Sequence, residues 1–188
     1  MVVKNLEIRG FNRVVNFRRS FNSQEKSDSF REVIGPKDLE VLRTLVQRGD
    51  SHAKVMRFVI VYFDLTLPRR VWVDFDTYRY GVEKMSDSTM HTLTKKELTP
   101  ADFDKYTDLE VVYLVNDYIK MYKENPSEDA FLRLKSILPE GFLQTRTVMA
   151  NYQSLRHIYK DRFNHRQPEF REFCRWIETL PYSILITC

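Results

Sequence analysis

LPEGFLQTRTVMANYQSLRHIYKDR, residues Leu138 to Arg162, is the stretch from which the rest of the chain is best read. Asn151 begins a run, NYQSLRHIYKDRF, with helical spacing. Eleven residues at about 100° each bring Arg162 to within roughly 20° of the direction of Asn151, and about 1.5 Å of rise per residue separates the two by roughly 16 Å. One helix face therefore offers two polar anchors far apart. That suits a long ligand, or two ligands laid end to end, with the arginine forking to a carbonyl or a phosphate. The same spacing is equally that of a solvated polar face.

Beyond Arg162, Pro168 opens a second helix in which Phe170, Phe173, Cys174, Ile177 and Leu180 fall on one stripe, and Pro181 ends it. Upstream, Pro100–Lys123 and Ser127–Leu138 both carry apolar residues at helical spacing, with Ser127 and Asp129 marking a start. Asp38–Val46 predicts a further helix, opened by Pro36 and stopped by Gly49. VMRFVIVYFDLTL (Val55–Leu67) is dense in β-branched and aromatic residues, so part of it is predicted as a buried strand ending at Pro68. A short helix is expected near Arg69–Phe75, and TYRYGVEKMSDSTMHTL (Thr77–Leu93) has neither period and reads as an ordered loop. Leu6, Ile8, Val14, Val15 and Phe17 around Gly10 suggest one or two strands between Val2 and Phe17. No repeat, low-complexity tract or linker interrupts the chain, so the expectation is one α+β domain spanning residues 1–188, helices outweighing strands.

Composition narrows the function. With 188 residues and 43% apolar content the chain can bury a core of domain size. Thirty Lys and Arg against twenty-six Asp and Glu leave +4, which suits a small anionic ligand at least as well as a nucleic-acid groove. A basic, aromatic-rich nucleic-acid binder is suggested by a pI near 9.0 and ten tyrosines. It lacks a basic stripe, because Lys and Arg alternate with acids nearly everywhere. Gly10, Gly35, Gly49, Gly81 and Gly141 stand singly, so neither a dinucleotide fingerprint nor a P-loop is present. Two cysteines, no apolar leader and no long apolar run predict a soluble, cytoplasmic chain without disulfides or membrane contact.

Familiar chemistry is thin. Cys174 lies on an apolar stripe, where an inert thiol is the ordinary occupant. His52, His91, His157 and His165 show no metal-binding spacing, and no metal is expected. Ser86-Asp87-Ser88-Thr89 supplies hydroxyls that suit a phosphate but also suit an ordinary turn. Arg18-Arg19 and Arg69-Arg70 read as solvated pairs.

Taken together, Leu138-Pro139, Thr145, Asn151, Leu155, His157 and Arg162 resemble, in order and spacing, the C-terminal signature of the flavin-dependent thymidylate synthases (ThyX). Arg19-Ser20-Phe21, the Gly49–His52 turn and Pro68 look like upstream landmarks of that family. There are three departures from the pattern. The Arg-His-Arg motif is replaced by Thr77-Tyr78-Arg79, continuing to Ser86-Asp87-Ser88-Thr89-Met90. Gln153 and Lys135 each stand where the family has arginine.

The resemblance implies a single α+β domain, with a mixed sheet and several helices, assembled as a homotetramer whose sites draw on several subunits. It implies one-carbon transfer from methylenetetrahydrofolate to dUMP, giving dTMP, with FAD as cofactor, NADPH as reductant and no cysteine nucleophile. Ser20, His52, Arg79, Asn151 and His157 match positions near the flavin. Ser86, Ser88, Lys135 and Arg162 match positions around the nucleotide, with Arg162 the residue expected to stabilise charge developing on the uracil ring. A relative that keeps the pocket but has lost catalysis, serving as a nucleotide- or flavin-binding module, is the alternative that the altered Thr77–Met90 stretch suggests. As a residue on an exposed face, Arg162 is expected to matter little for folding.

Overall fold

Four strands form the sheet, in the order β1 (Val2–Arg9), β2 (Ile60–Pro68), β4 (Leu143–Asn151) and β3 (Val82–Ser86). The computed structural model describes residues 1–188, the side chain of Val15 excepted, so that residue's place in the sequence reading lies outside what is described. Every pairing is antiparallel, which corrects the expected mixed sheet while keeping the α+β class. Along β2 the pleat alternates strictly. Val61, Phe63, Leu65 and Leu67 are buried, and Tyr62, Asp64 and Thr66 face the other way.

The helices are α1 (Phe11–Val14), α2 (Pro36–Gln47), α3 (Arg69–Phe75), α4 (Thr89–Thr92), α5 (Leu109–Glu124), α6 (Glu128–Ile137), α7 (Tyr152–Arg162), α8 (Pro168–Glu178) and α9 (Ile184–Thr187). The inner face of the sheet packs on α7 and α8 through Leu155, Ile158, Phe170, Phe173 and Ile177, all buried. The predicted α8 stripe therefore does what its period requires, and Phe173 lies 5.9 Å from Phe63 and 5.5 Å from Phe75 between ring centroids. Cys174 is buried beside it, and burial pushes its thiol up to about 12, in keeping with an unreactive side chain. A second, smaller core lies among Leu93, Leu98, Phe103, Val112, Val115, Ile119, Leu134 and Leu138, where α5 and α6 pack together.

Three segments differ from the sequence reading. Val2–Phe17 yields one strand only, because Phe11, Val14 and Phe17, spaced by three, bury themselves on a helical turn that continues as a 3-10 helix over Val15–Phe21. The strand predicted within Val55–Leu67 is present as Ile60–Pro68, preceded by a 3-10 helix over Lys54–Phe58. Thr77–Leu93 holds β3 and α4. β4 carries no expected strand at all, and the reason is visible in its inner face. There Gln144 and Arg146 precede Val148 and Ala150, in register with Leu67, Leu65, Phe63 and Val61 of β2. Arg146 stacks 4.3 Å from the Trp72 ring and donates twice to Asp76, at 2.8 and 3.0 Å. Lys84 of β3 sits 5.6 Å from the Phe75 ring and pairs with the same aspartate. Cations therefore finish this end of the core, and their charge masks the alternation.

Among the described residues no helix is long and apolar enough to cross a membrane. No His, Cys, Asp and Glu side chains are grouped there to hold a metal ion.

Candidate functional site

The turn from Gly49 through the 3-10 helix at Lys54–Phe58 divides two hollows. On one side Ser20 and His52 line a hollow of about 550 Å³, with Arg13, Lys54, Val55 and Phe58. On the other, Asn151 and His157 line a hollow of about 430 Å³, with Asp50, Arg57, Tyr80, Gly81, Gln153 and Ser154. Four of the five residues expected near a flavin thus fall in two neighbouring hollows. The fifth, Arg79, is exposed, lines neither, and makes no side-chain hydrogen bond among the described residues.

Asn151 caps α7, its side-chain oxygen accepting from the Ser154 amide (2.9 Å) and lying 3.0 Å from the Ser154 hydroxyl oxygen. The Ser154 hydroxyl also donates to the Tyr80 carbonyl at 2.7 Å. His157 reaches Asp50 across the rim, Nε2 to carboxylate oxygen 2.9 Å. Gly81 makes the close approach possible. Its φ is +66°, and a Cβ there would run into the Asn151 amide nitrogen and lie 2.7 Å from the Ser154 hydroxyl. Gly81→Ala is therefore expected to cost about 1–2 kcal/mol for the left-handed backbone and to loosen the cap as well. Thermal unfolding reads this directly, and an unchanged midpoint would show that neither the left-handed backbone at Gly81 nor the Asn151 cap carries that cost.

At the far end of α7, Arg162 is half-buried rather than on an open face. Its Nε donates to the Tyr78 hydroxyl (2.8 Å) and its Nη1 to His165 Nε2 (2.7 Å). Its guanidinium carbon lies 4.8 Å from the Phe170 ring centroid and 5.5 Å from that of Tyr78. Burial, then Arg162, holds His165 below the usual histidine range, so the ring accepts this bond as the neutral species. Burial raises Tyr78, with Arg162 opposing it. Tyr78 also donates to Asp161 at 3.2 Å. Residues Tyr78–Gly81 thus run along α7, tied to Arg162 at one end and to Ser154 at the other.

The remaining nucleotide candidates lie elsewhere in the chain. Lys135 of α6 donates to the Thr89 hydroxyl, and burial together with Arg69 lowers its pKa. Ser88 is the residue before α4, and Ser86 ends β3 opposite Arg146; both are exposed. Ser88 and Lys135 therefore meet around Thr89. Among the described residues no hydrogen bond joins them to Arg162, and none of them lines either of the two hollows.

Arg57 and Asp50 are site neighbours to which the sequence reading gave no role, and it named Tyr78 only within the altered motif and His165 only among the histidines without metal-binding spacing. Arg57 carried a faint signal, a lone cation inside the apolar run VMRFV.

The architecture is that of the flavin-dependent thymidylate synthases, and the resemblance read from Leu138–Arg162 holds as one of fold along the whole chain. The structure of ThyX from Helicobacter pylori complexed with FAD and dUMP matches with a TM-score of 0.80 at 18% identity, over 100% of this chain and 98% of the other. A second structure of Helicobacter pylori ThyX with FAD and dUMP gives a TM-score of 0.78 at 16% identity, over 97% and 95%. No family model matches the sequence, and no curated protein matches it.

Proposed function

We propose that this chain, acting as one domain over residues 1–188, is a divergent flavin-dependent thymidylate synthase. On this reading it transfers a one-carbon unit reductively from methylenetetrahydrofolate to dUMP, giving dTMP, in the cytoplasm. The observation that carries the reading is an end-to-end fold shared with structures that hold FAD and dUMP. The residues fit a flavin: Ser20 and His52 in one hollow and Asn151 and His157 in the next offer hydroxyl, imidazole and amide groups along a common wall. When bound, FAD supplies the redox chemistry, with NADPH as the source of electrons.

The chain's own contribution is electrostatic. Arg162, held by Tyr78 and His165, would direct its guanidinium to the uracil carbonyls and stabilise negative charge as ring C5 becomes nucleophilic. Lys135, with the Ser86 and Ser88 hydroxyls, would hold the phosphate. The separation of these groups within one chain fits a homotetramer whose sites combine several subunits.

The first test is an absorbance spectrum of purified protein, before and after adding FAD and dUMP, followed by an assay for dTMP with methylenetetrahydrofolate and NADPH. Flavin bands that survive desalting, together with dTMP formation, are expected. A colourless protein without product would overturn the reading. A second reading, a non-catalytic nucleotide-binding relative, draws on one observation: Arg162 already has partners within its own chain, as a structural arginine does. Under it, nucleotide binds without consumption of NADPH.

A further inference from the structure

We propose that Arg57 is the anion-binding fork of the hollow at the N-terminal end of α7, taking a phosphate or diphosphate group, with Gln153 as its positioning residue. The inference rests on the reading of this hollow as part of a dinucleotide site and adds to it a residue from outside α7.

Gln153 is only 5% exposed, and its Oε1 accepts from Arg57 Nε at 2.5 Å. That bond uses the one guanidinium nitrogen that cannot take part in an end-on fork. Both terminal nitrogens of Arg57 are left without a protein partner among the described residues, and Arg57 forms no ion pair there. An arginine held by a buried amide, lining a hollow of about 430 Å³ and with both terminal nitrogens free, matches the two-oxygen edge of a phosphate. Asp50, the carboxylate that lines the hollow, makes its hydrogen bond to His157 rather than to Arg57. The Gln153 amide nitrogen likewise has no hydrogen-bond partner among the described residues, so a nearly buried side chain adds a third donor to the same lining. Gly81, without a side chain, leaves the backbone open beside them.

This arrangement also accounts for the residue at position 153. A neutral amide stands where the resembling pattern has arginine, and the positive charge enters instead from the turn before β2.

Arg57→Ala, Gln153→Ala and the exchange Arg57→Gln/Gln153→Arg would be compared with the unaltered protein. Binding of FAD, riboflavin and inorganic pyrophosphate would be followed by flavin fluorescence and calorimetry, with circular dichroism as the check on folding. Because a hydrogen bond to a charged group is typically worth a factor of about ten or more, Arg57→Ala is expected to weaken FAD and pyrophosphate at least about tenfold. Riboflavin, which has no phosphate, should be unaffected. Gln153→Ala should weaken FAD less, and the exchange should recover most of the lost affinity. FAD or pyrophosphate binding that is indifferent to Arg57 would overturn the proposal even where dTMP is formed. Arg57-dependent pyrophosphate binding without FAD binding would sustain the fork and overturn the synthase reading instead. If neither ligand binds the unaltered protein, both fall.

Discussion

Under the proposed synthase reading, Arg162→Ala is expected to reduce dTMP formation by about a hundredfold to a thousandfold, the usual effect of removing one preorganised donor from developing charge. The structure changes what accompanies that loss. Arg162 bridges the Tyr78 hydroxyl and His165 and lies against the Phe170 ring, so the variant loses packing and two hydrogen bonds along with its charge. A destabilisation of about 1–2 kcal/mol replaces the near-neutral effect that an exposed face would give. Arg162→Lys separates the two roles, since it keeps the charge without the planar fork. Turnover at wild-type rate in the alanine variant would remove Arg162 from the chemistry and leave it a structural residue.

Asp38→Ala is expected to cause the largest loss of stability. Asp38 is fully buried in the first turn of α2 and accepts from Arg18 Nε (2.5 Å) and from the Ser27 and Ser29 hydroxyls (2.6 Å each). Removing the carboxylate strands Arg18, itself 11% exposed, and unties the segment between the Val15–Phe21 turn and α2. Breaking a buried pair this way costs about 3–5 kcal/mol, or roughly 6–20 °C in Tm for a chain of this size. Ser20 lies in the same Val15–Phe21 turn as Arg18, so its hollow loosens too. Acid gives an independent check. Burial pushes the Asp38 carboxyl up, but the two hydroxyls and Arg18 outweigh it and hold it below the usual range. The stabilisation is then present above about pH 3.9 and is lost as pH falls through the lower folded value. The gap between wild type and variant should accordingly narrow below pH 4. A gap that stays constant through the acid range would mean that Asp38 does not titrate with its partners.

The sequence was most legible where one physical demand dominated. α8 buries a continuous apolar stripe, and α2, α3, α6 and α7 start where Pro36, Pro68, Ser127 and Asn151 permit. It was least legible where a charged residue does an apolar residue's work. Arg146 and Lys84 cover Trp72 and Phe75 from inside the sheet, and no alternation count recognises them as inward-facing. The candidate site divides along the same line. Asn151 and His157, fixed by one helix, share a hollow, in line with the grouping the resemblance implied rather than with any spacing argument. Arg57 stayed hidden because its role depends on Gln153, brought close by folding across the sequence. Lys135 and Arg162 lie apart in the chain for an equally simple reason: α6 belongs to the second core, and α7 to the first.

The strand order has a consequence for how the chain must be made. β2 finds β1 already synthesised, so one of its edges is covered at once. Its other edge pairs with β4, and the whole helical segment between them must emerge before β4 exists. Through that interval the Val61, Phe63, Leu65 and Leu67 row has an open ladder beside it and neither α7 nor α8 to lie on. Long-range pairing of this kind closes slowly, and an apolar strand with a free edge is the part of a nascent chain most prone to join a neighbour's. Slower translation or lower temperature during expression should therefore raise the yield of correctly folded protein more than any change of buffer afterwards.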